Sequence, residues 1–261
     1  MGNFTFKKKF GQNFLSDKNL LNEIVSKAGV TEDDIVVEIG AGKGALTEAI
    51  SAACKKVYSF EVDKELFDYL TEKFDGSNVE FVFKDVMQIT DKELHEIVGG
   101  KFKLVANLPY YITSPILTRF LQNEYLESAT VMVQEEVADR IIAGPRTKDY
   151  GVLTVMCQLL GETKKVLRVN RKMFYPVPNV DSAVVRINKY KHKEEINYDK
   201  LINFVKKSFS MRRKKLSSNL EGFGIEKSKT ENILIENGFS SLARAEEFSI
   251  DELKMLFKLL I

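Results

Sequence analysis

The residues best suited to chemistry are Asn107-Leu108-Pro109-Tyr110. They follow Leu104-Val105-Ala106, an apolar run of the kind that closes a buried strand. Pro109 fixes its own φ, lacks an N–H and drives Leu108 into an extended geometry. The chain must therefore leave the sheet here with carbonyls outside any regular pairing. Asn107 adds a side-chain carbonyl acceptor and Tyr110 a flat aromatic face. Acceptors beside an aromatic plate suit an exocyclic amine on a nucleobase. Taken alone, the four residues read more simply as a strand-to-loop turn, where Asn and Pro are common.

Three further strand ends carry polar residues. Asp34 to Ile39 reads as a buried strand running into Gly40-Ala41-Gly42-Lys43-Gly44, with a good helix former from Ala45 to Ala53. Glycines allow the sharp bend and a close approach of ligand. The spacing is Glu-x-Gly-x-Gly-x-Gly, so the third glycine falls one residue early for a dinucleotide fingerprint, and no phosphate-loop spacing is present. A carboxylate at Glu38 also repels a pyrophosphate. A ligand with a positive centre and an amino-acid end fits better. A second strand, Lys56 to Phe60, ends in Glu61, and an acid there bonds ribose hydroxyls in Rossmann-type sheets. A third, Val79 to Phe83, is followed by Asp85, which could accept from the N6 amine of an adenosyl group. Either acid is also an ordinary helix cap, and Asp63 suits that role too.

The elements that must position these groups follow from the pattern. Strands alternate with helices through the first two-thirds of the chain, which predicts an α/β fold with a parallel, doubly wound sheet. Ligands in such sheets sit outside the carboxyl ends of the strands. Gly40, Glu61, Asp85 and Asn107 end four successive predicted strands, so they fall on one rim. Thr113-Ser114-Pro115 opens a helix. A fifth strand covers Ala129 to Val133, a helix Gln134 to Ala143, and an apolar helix Leu153 to Leu160. Late strands cover Val166 to Val169 and Ala183 to Ile187. Between them, Pro176 and Pro178 stiffen a loop that carries Phe174 and Tyr175 at its mouth. The pattern changes near Lys189, after a charged linker, to short helical periods beginning with Tyr198 to Phe209. The expected organisation is a sheet domain over 1–188 and a small all-helical domain over 189–261.

Composition sets bounds. The 261 residues are 44% hydrophobic and 29% charged, ordinary for a soluble protein, and the two cysteines, without metal-ligand spacing, read as buried free thiols in a reducing cytoplasm. No apolar run approaches the roughly 20 residues of a membrane span. Cys54 and Cys157 lie far apart, and His95 and His192 are the only histidines, so neither a metal site nor histidine catalysis is expected. The net charge of +2 carries no nucleic-acid argument by itself. The basic residues are placed more tellingly, with Lys7, Lys8 and Lys9 interleaved with phenylalanines, Arg146 in a polar loop, and the run Arg212-Arg213-Lys214-Lys215 in the tail. Such a run is equally an ordinary solvated face.

Four motifs occur in order: Phe10-Gly11-Gln12-Asn13-Phe14-Leu15, Glu38-Ile39-Gly40-Ala41-Gly42-Lys43-Gly44, Asn107-Leu108-Pro109-Tyr110, and Phe174-Tyr175-Pro176-Val177-Pro178-Asn179-Val180-Asp181-Ser182. In this set and order the chain resembles the ribosomal RNA adenine N6,N6-dimethyltransferases, most closely the small-subunit group, over nearly its whole length. The resemblance implies a Rossmann-like class I methyltransferase sheet and S-adenosyl-L-methionine as donor. It also implies dimethylation of two adjacent adenines near the 3′ end of 16S rRNA in the small subunit or its precursor; separately, a monomer is expected. Family donor-site positions fall on Asn13, Leu15, Gly40, Glu61, Asp85 and Asn107, with Gln12 and Gly42 beside them. Asn107, Leu108, Tyr110 and Phe174 are the catalytic candidates. Tyr111 departs from the small polar residue many relatives carry, and no role is assigned to it.

A sulfonium donor is already activated, so the poor partner is the adenine amine, whose lone pair is delocalised into the ring. If Asn107 and the Leu108 carbonyl accept its two N–H bonds, its lone pair turns toward the methyl carbon. Most of the gain is alignment, which can supply ~7–11 kcal/mol, with fixed dipoles adding to it. A base within RNA must leave its stack to reach this rim, and Tyr110 and Phe174 are expected to sandwich it. Two rivals stand beside this reading: a large-subunit dimethyltransferase conferring antibiotic resistance, and a ribosome-assembly factor with incidental methylation. A nicotinamide oxidoreductase is disfavoured by the early third glycine.

Overall fold

The structure is a computed structural model that describes residues 14–191 and 196–261. In chain order the elements are β1 (Phe14–Leu15), α1 (Lys18–Ala28), β2 (Ile35–Ile39), α2 (Ala45–Ser51), β3 (Lys56–Phe60), α3 (Phe67–Lys73), β4 (Val79–Val82), α4 (Asp91–Val98), β5 (Phe102–Asn107), α5 (Thr113–Gln122), β6 (Leu126–Gln134), α6 (Glu135–Ile141), α7 (Val152–Leu160), β7 (Gly161–Val169), β8 (Phe174–Tyr175), β9 (Ser182–Lys189), α8 (Tyr198–Ser208), α9 (Leu216–Glu221), α10 (Lys227–Glu236) and α11 (Ile250–Leu260).

Seven strands form one sheet in the order β4-β3-β2-β5-β6-β9-β7. From β4 to β6 every pairing is parallel, while β9 runs antiparallel to β6. The parallel strands have the doubly wound order third, second, first, fourth, fifth, which reverses between β2 and β5. The glycine turn leaves β2 and the Asn-Leu-Pro-Tyr stretch leaves β5, so both lie at that switch point. The central strands β2, β5 and β6 are largely buried, as a sheet covered on both faces requires, while the edge strands β4 and β7 carry exposed polar residues. Leu21, Ile24, Val25 and Ala28 of α1 and Ile50 of α2 join Val36, Val57, Val105, Met132 and Val184 of the sheet in one core. Asp17 caps α1 through the Leu20 N–H, and Gly29 ends it at φ 62°.

A separate two-residue ladder pairs Phe14 with Tyr175 and Leu15 with Phe174. Nothing in the local pattern announces it, because two residues are too few to show a period.

The chain divides into two compact units, one comprising 1–138 with 162–189 and the other 139–161 with 190–261. The second unit is thus larger than a break near Lys189 predicts. Its α7 buries Thr154, Val155, Met156, Cys157, Leu159 and Leu160, and a helix apolar nearly all round must be enclosed. The Tyr150 hydroxyl donates to the Phe248 carbonyl at 2.9 Å, which ties 139–161 to the tail. Phe204 of α8 meets Phe257 of α11 with ring centroids 5.7 Å apart. No described helix is long and apolar enough to cross a membrane.

Candidate active site

The first unit contains a pocket at the carboxyl ends of the parallel strands. Leu15, Gly40, Gly42, Glu61, Asp85, Asn107, Leu108 and Tyr110 all line it, together with Phe14, Lys43, Val62, Lys84, Pro109 and Tyr111. Gln12, Asn13, Lys7, Lys8 and Lys9 lie outside the described residues. Phe14, Lys43, Val62 and Lys84 had no role in the sequence reading. All four stand next to its candidates in the chain, and that adjacency was the available signal.

The glycine turn is held by the acid opposite it. The Gly42 N–H donates to Glu61 Oε2 at 2.9 Å, and the Val62 and Asp63 N–H groups donate to Oε1 at 2.7 and 2.9 Å. A carboxylate offers about four lone-pair directions. Three are taken, and the one left on Oε2 is available to a ligand hydroxyl. Gly44 has φ 74°, and a Cβ there would lie 2.6 Å from the Phe74 ring, so no larger residue fits. Asp85 accepts from the Met87 N–H at 2.9 Å through Oδ1, the cap expected of it, and still lines the pocket.

Beneath the turn lies Glu38. Strand alternation puts it on the same face as Val36, under α2. It is fully buried, and its Oε2 accepts from Thr47 and Ser59, each at 2.6 Å. Its Oε1 has no partner among the described residues. Burial pushes its pKa up to about 7 against the pull of those two hydroxyls, and the nearby Glu61 raises it further.

At the exit of β5, Asn107 pairs with Met132 of β6, and the Leu108 N–H donates to the Met132 carbonyl at 3.1 Å. That bond fixes the backbone at the point where Pro109 releases it. Neither the Asn107 carboxamide nor the Leu108 carbonyl is hydrogen-bonded to another described residue. Two of the pocket-lining residues therefore carry unspent acceptors. Tyr110 opens a 3-10 turn, its ring half-buried, and its hydroxyl lies 3.0 Å from Ser182 Oγ.

Phe174 is not where the sequence reading expects it. Opposed residues of an antiparallel ladder point to the same face, so Phe174 turns inward with Leu15 while Tyr175 lies on the side of Phe14. Phe174 is 3% exposed within the core and is not among the pocket-lining residues, whereas Tyr175 is 69% exposed. A flanking position for Phe174 is therefore corrected to a core position.

The basic candidates of the second unit differ among themselves. Arg212 pairs with Glu246 at 2.8 Å and also donates to the Lys148 carbonyl. Arg146 has φ 67°, and its N–H donates to the Glu246 carbonyl at 2.8 Å. Lys215 approaches Glu231 at 3.9 Å, while Arg213 and Lys214 are exposed. The run is a turn between α8 and α9, not a helix face.

Residues 3–261 match the family model for ribosomal RNA adenine dimethylase. The chain belongs to that family. It is a methyltransferase with a Rossmann-like class I fold that acts as an rRNA adenine dimethyltransferase. It is 43% identical over 251 residues to the ribosomal RNA small subunit methyltransferase A of Caldanaerobacter subterraneus, covering 94% of each chain. It is 41% identical over 261 residues to the protein of that name from Clostridioides difficile, covering 97% of this chain and 90% of the relative. Among solved structures, a dimethyladenosine transferase from Plasmodium falciparum superposes with a TM-score of 0.78 at 24% identity, covering 93% of this chain and 95% of that one. The 23S rRNA methyltransferase ErmE superposes with a TM-score of 0.72 at 30% identity, covering 95% of this chain and 99% of that one. Among the described residues no group of three or more His, Cys, Asp or Glu could hold a metal ion.

Proposed function

We propose that this dimethylase transfers methyl groups from S-adenosyl-L-methionine to N6 of two adjacent adenines near the 3′ end of 16S rRNA, in the small ribosomal subunit or its precursor. One observation carries the reading: the ends of four parallel strands line a single pocket that combines ribose-type acids with unspent amide and peptide acceptors. Small-subunit relatives at 43% and 41% identity, against 30% for the 23S enzyme, favour the small-subunit substrate.

The residues present fit the donor. Glu61 keeps one acceptor direction for a ribose hydroxyl, and Asp85 Oδ2 is available to an adenine amine. The glycine turn brings backbone close to the amino-acid end. The donor supplies an electrophilic methyl group on a sulfonium. The chain's own groups do the rest. Asn107 Oδ1 and the Leu108 carbonyl accept the two N–H bonds of the target amine and so aim its lone pair. Tyr110 stacks the flipped base, an interaction worth ~1–3 kcal/mol. No strong general base is needed, because the product ammonium is acidic enough to lose its proton to solvent. After the first transfer one N–H is gone, and the amine must turn within the pocket to present its lone pair again. Arg213 and Lys214, with Arg146, Arg212 and Lys215, meet RNA phosphates.

Methyl transfer from labelled donor to small-subunit particles and to protein-free large-subunit RNA, followed by nucleoside analysis, tests the reading. Dimethyladenosine in the 16S RNA alone is expected. Label confined to the 23S RNA overturns it.

A further inference from the structure

Ser182 closes the last of the four ordered motifs, yet nothing in the reaction so far uses it. It is the first residue of β9, opposite Gln134 of β6, and it is fully buried. A buried hydroxyl costs free energy unless it is hydrogen-bonded. Its partner is the Tyr110 hydroxyl at 3.0 Å, 72 residues away in sequence. The bond runs from the exit of β5, past the end of β6, to the start of β9.

The two ends of this bond are unequally held. Tyr110 stands in a half-buried 3-10 turn at the pocket, and two side-chain torsions separate its ring from the backbone. Ser182 is anchored through its neighbour Asp181. The Asp181 carbonyl accepts from the Glu135 N–H at 3.0 Å. Its carboxylate accepts from the Arg171 N–H at 3.1 Å and from the Arg168 guanidinium at 3.3 Å. Arg168 also reaches Glu135 at 3.0 Å. The serine is thus the more heavily anchored end of the bond.

We infer that Ser182 is a positioning residue for methyl transfer: its hydroxyl tethers the Tyr110 phenol at the para position and fixes the ring plane against which the target adenine stacks. The inference rests on the reading that Tyr110 stacks the base. Ordering a side chain on binding costs about 0.5–1.5 kcal/mol, and a tether that orders the ring beforehand removes that cost. Loss of the tether should therefore lower kcat/KM for RNA by about two- to thirteenfold. The donor side of the pocket should be untouched.

The test uses the full chain with small-subunit particles and compares Ser182→Ala, Tyr110→Phe, the double variant and Tyr110→Ala. Donor affinity is measured separately by calorimetry. The expected result is a similar drop in kcat/KM for Ser182→Ala and Tyr110→Phe, unchanged donor affinity, and no further loss in the double variant. A larger loss in Tyr110→Ala reports the stacking itself. Wild-type kcat/KM in Ser182→Ala, or losses that multiply in the double variant, overturns the tether while leaving the stacking intact. Full activity in Tyr110→Ala removes the stacking and the tether together. Tyr110→Phe keeps the ring and the fold, so the comparison survives even if Ser182→Ala proves unstable.

Discussion

Glu38→Gln should change how stability depends on pH, by an amount the structure sets. The Glu38 carboxyl is enclosed between the glycine turn, α2 and β3, and burial lifts its pKa from an ordinary 4.5 to about 7. In that interval the folded chain keeps a proton that the unfolded chain releases. The group's contribution is therefore fully present below pH 4.5 and is lost as pH rises through about 7. Each pKa unit is worth ~1.36 kcal/mol, so the wild type should lose about 2–3 kcal/mol through this group between about pH 5 and pH 8. Glutamine does not titrate. Its amide nitrogen will want a partner that Oε1 also lacks, a cost of ~1–3 kcal/mol that is the same at every pH. The observable is thus the difference in slope, not the absolute stability. With a urea m-value of ~1–3 kcal/mol/M, the wild-type midpoint should fall relative to Glu38→Gln by roughly 1 M over that range. Parallel midpoint curves for the two proteins would refute the buried, proton-retaining carboxyl.

Asn107→Ala removes an unspent acceptor at the pocket, and kcat on small-subunit particles should fall by ~10²–10³ with donor affinity little changed; retained kcat would contradict the alignment role. Glu61→Gln replaces an acceptor of three backbone N–H groups, so donor Kd by calorimetry should rise by about tenfold or more, and an unchanged Kd would speak against it. Gly44→Ala forces a Cβ toward Phe74 in a left-handed backbone, costing about 1–2 kcal/mol from the backbone alone, which should lower the calorimetric Tm by several degrees. Replacing Arg213 and Lys214 with alanine should reduce the salt slope of RNA binding by about one for each phosphate no longer neutralised, whereas an unchanged slope would place the phosphate-binding cations elsewhere.

Much of the first unit was legible because long-range order there follows from local pattern. Lys56 to Phe60 has the period and apolar content of a buried strand and is one. Gly40, Glu61, Asp85 and Asn107 could be placed on one rim without coordinates, because the carboxyl ends of parallel strands share an edge, and all four line one pocket. Features set by distant partners were not legible. Whether Phe174 or Tyr175 faces inward depends on register against Phe14 and Leu15, some 160 residues earlier. The fate of Glu38 depends on Thr47 and Ser59 closing over it. The affiliation of 139–161 depends on what encloses α7, and the sequence of that helix says only that something must. The state of Arg212 likewise depends on Glu246, which no local pattern connects to it.

The central claim is that the strand-end rim of the first unit holds the methyl donor beside the amine acceptors. A crystal structure with S-adenosyl-L-methionine or its demethylated product bound tests it most directly. The ribose should meet Glu61, the adenine should lie by Asp85, and the sulfur should stand between the glycine turn and Asn107. A ligand bound away from Gly40 and Glu61 would contradict the account.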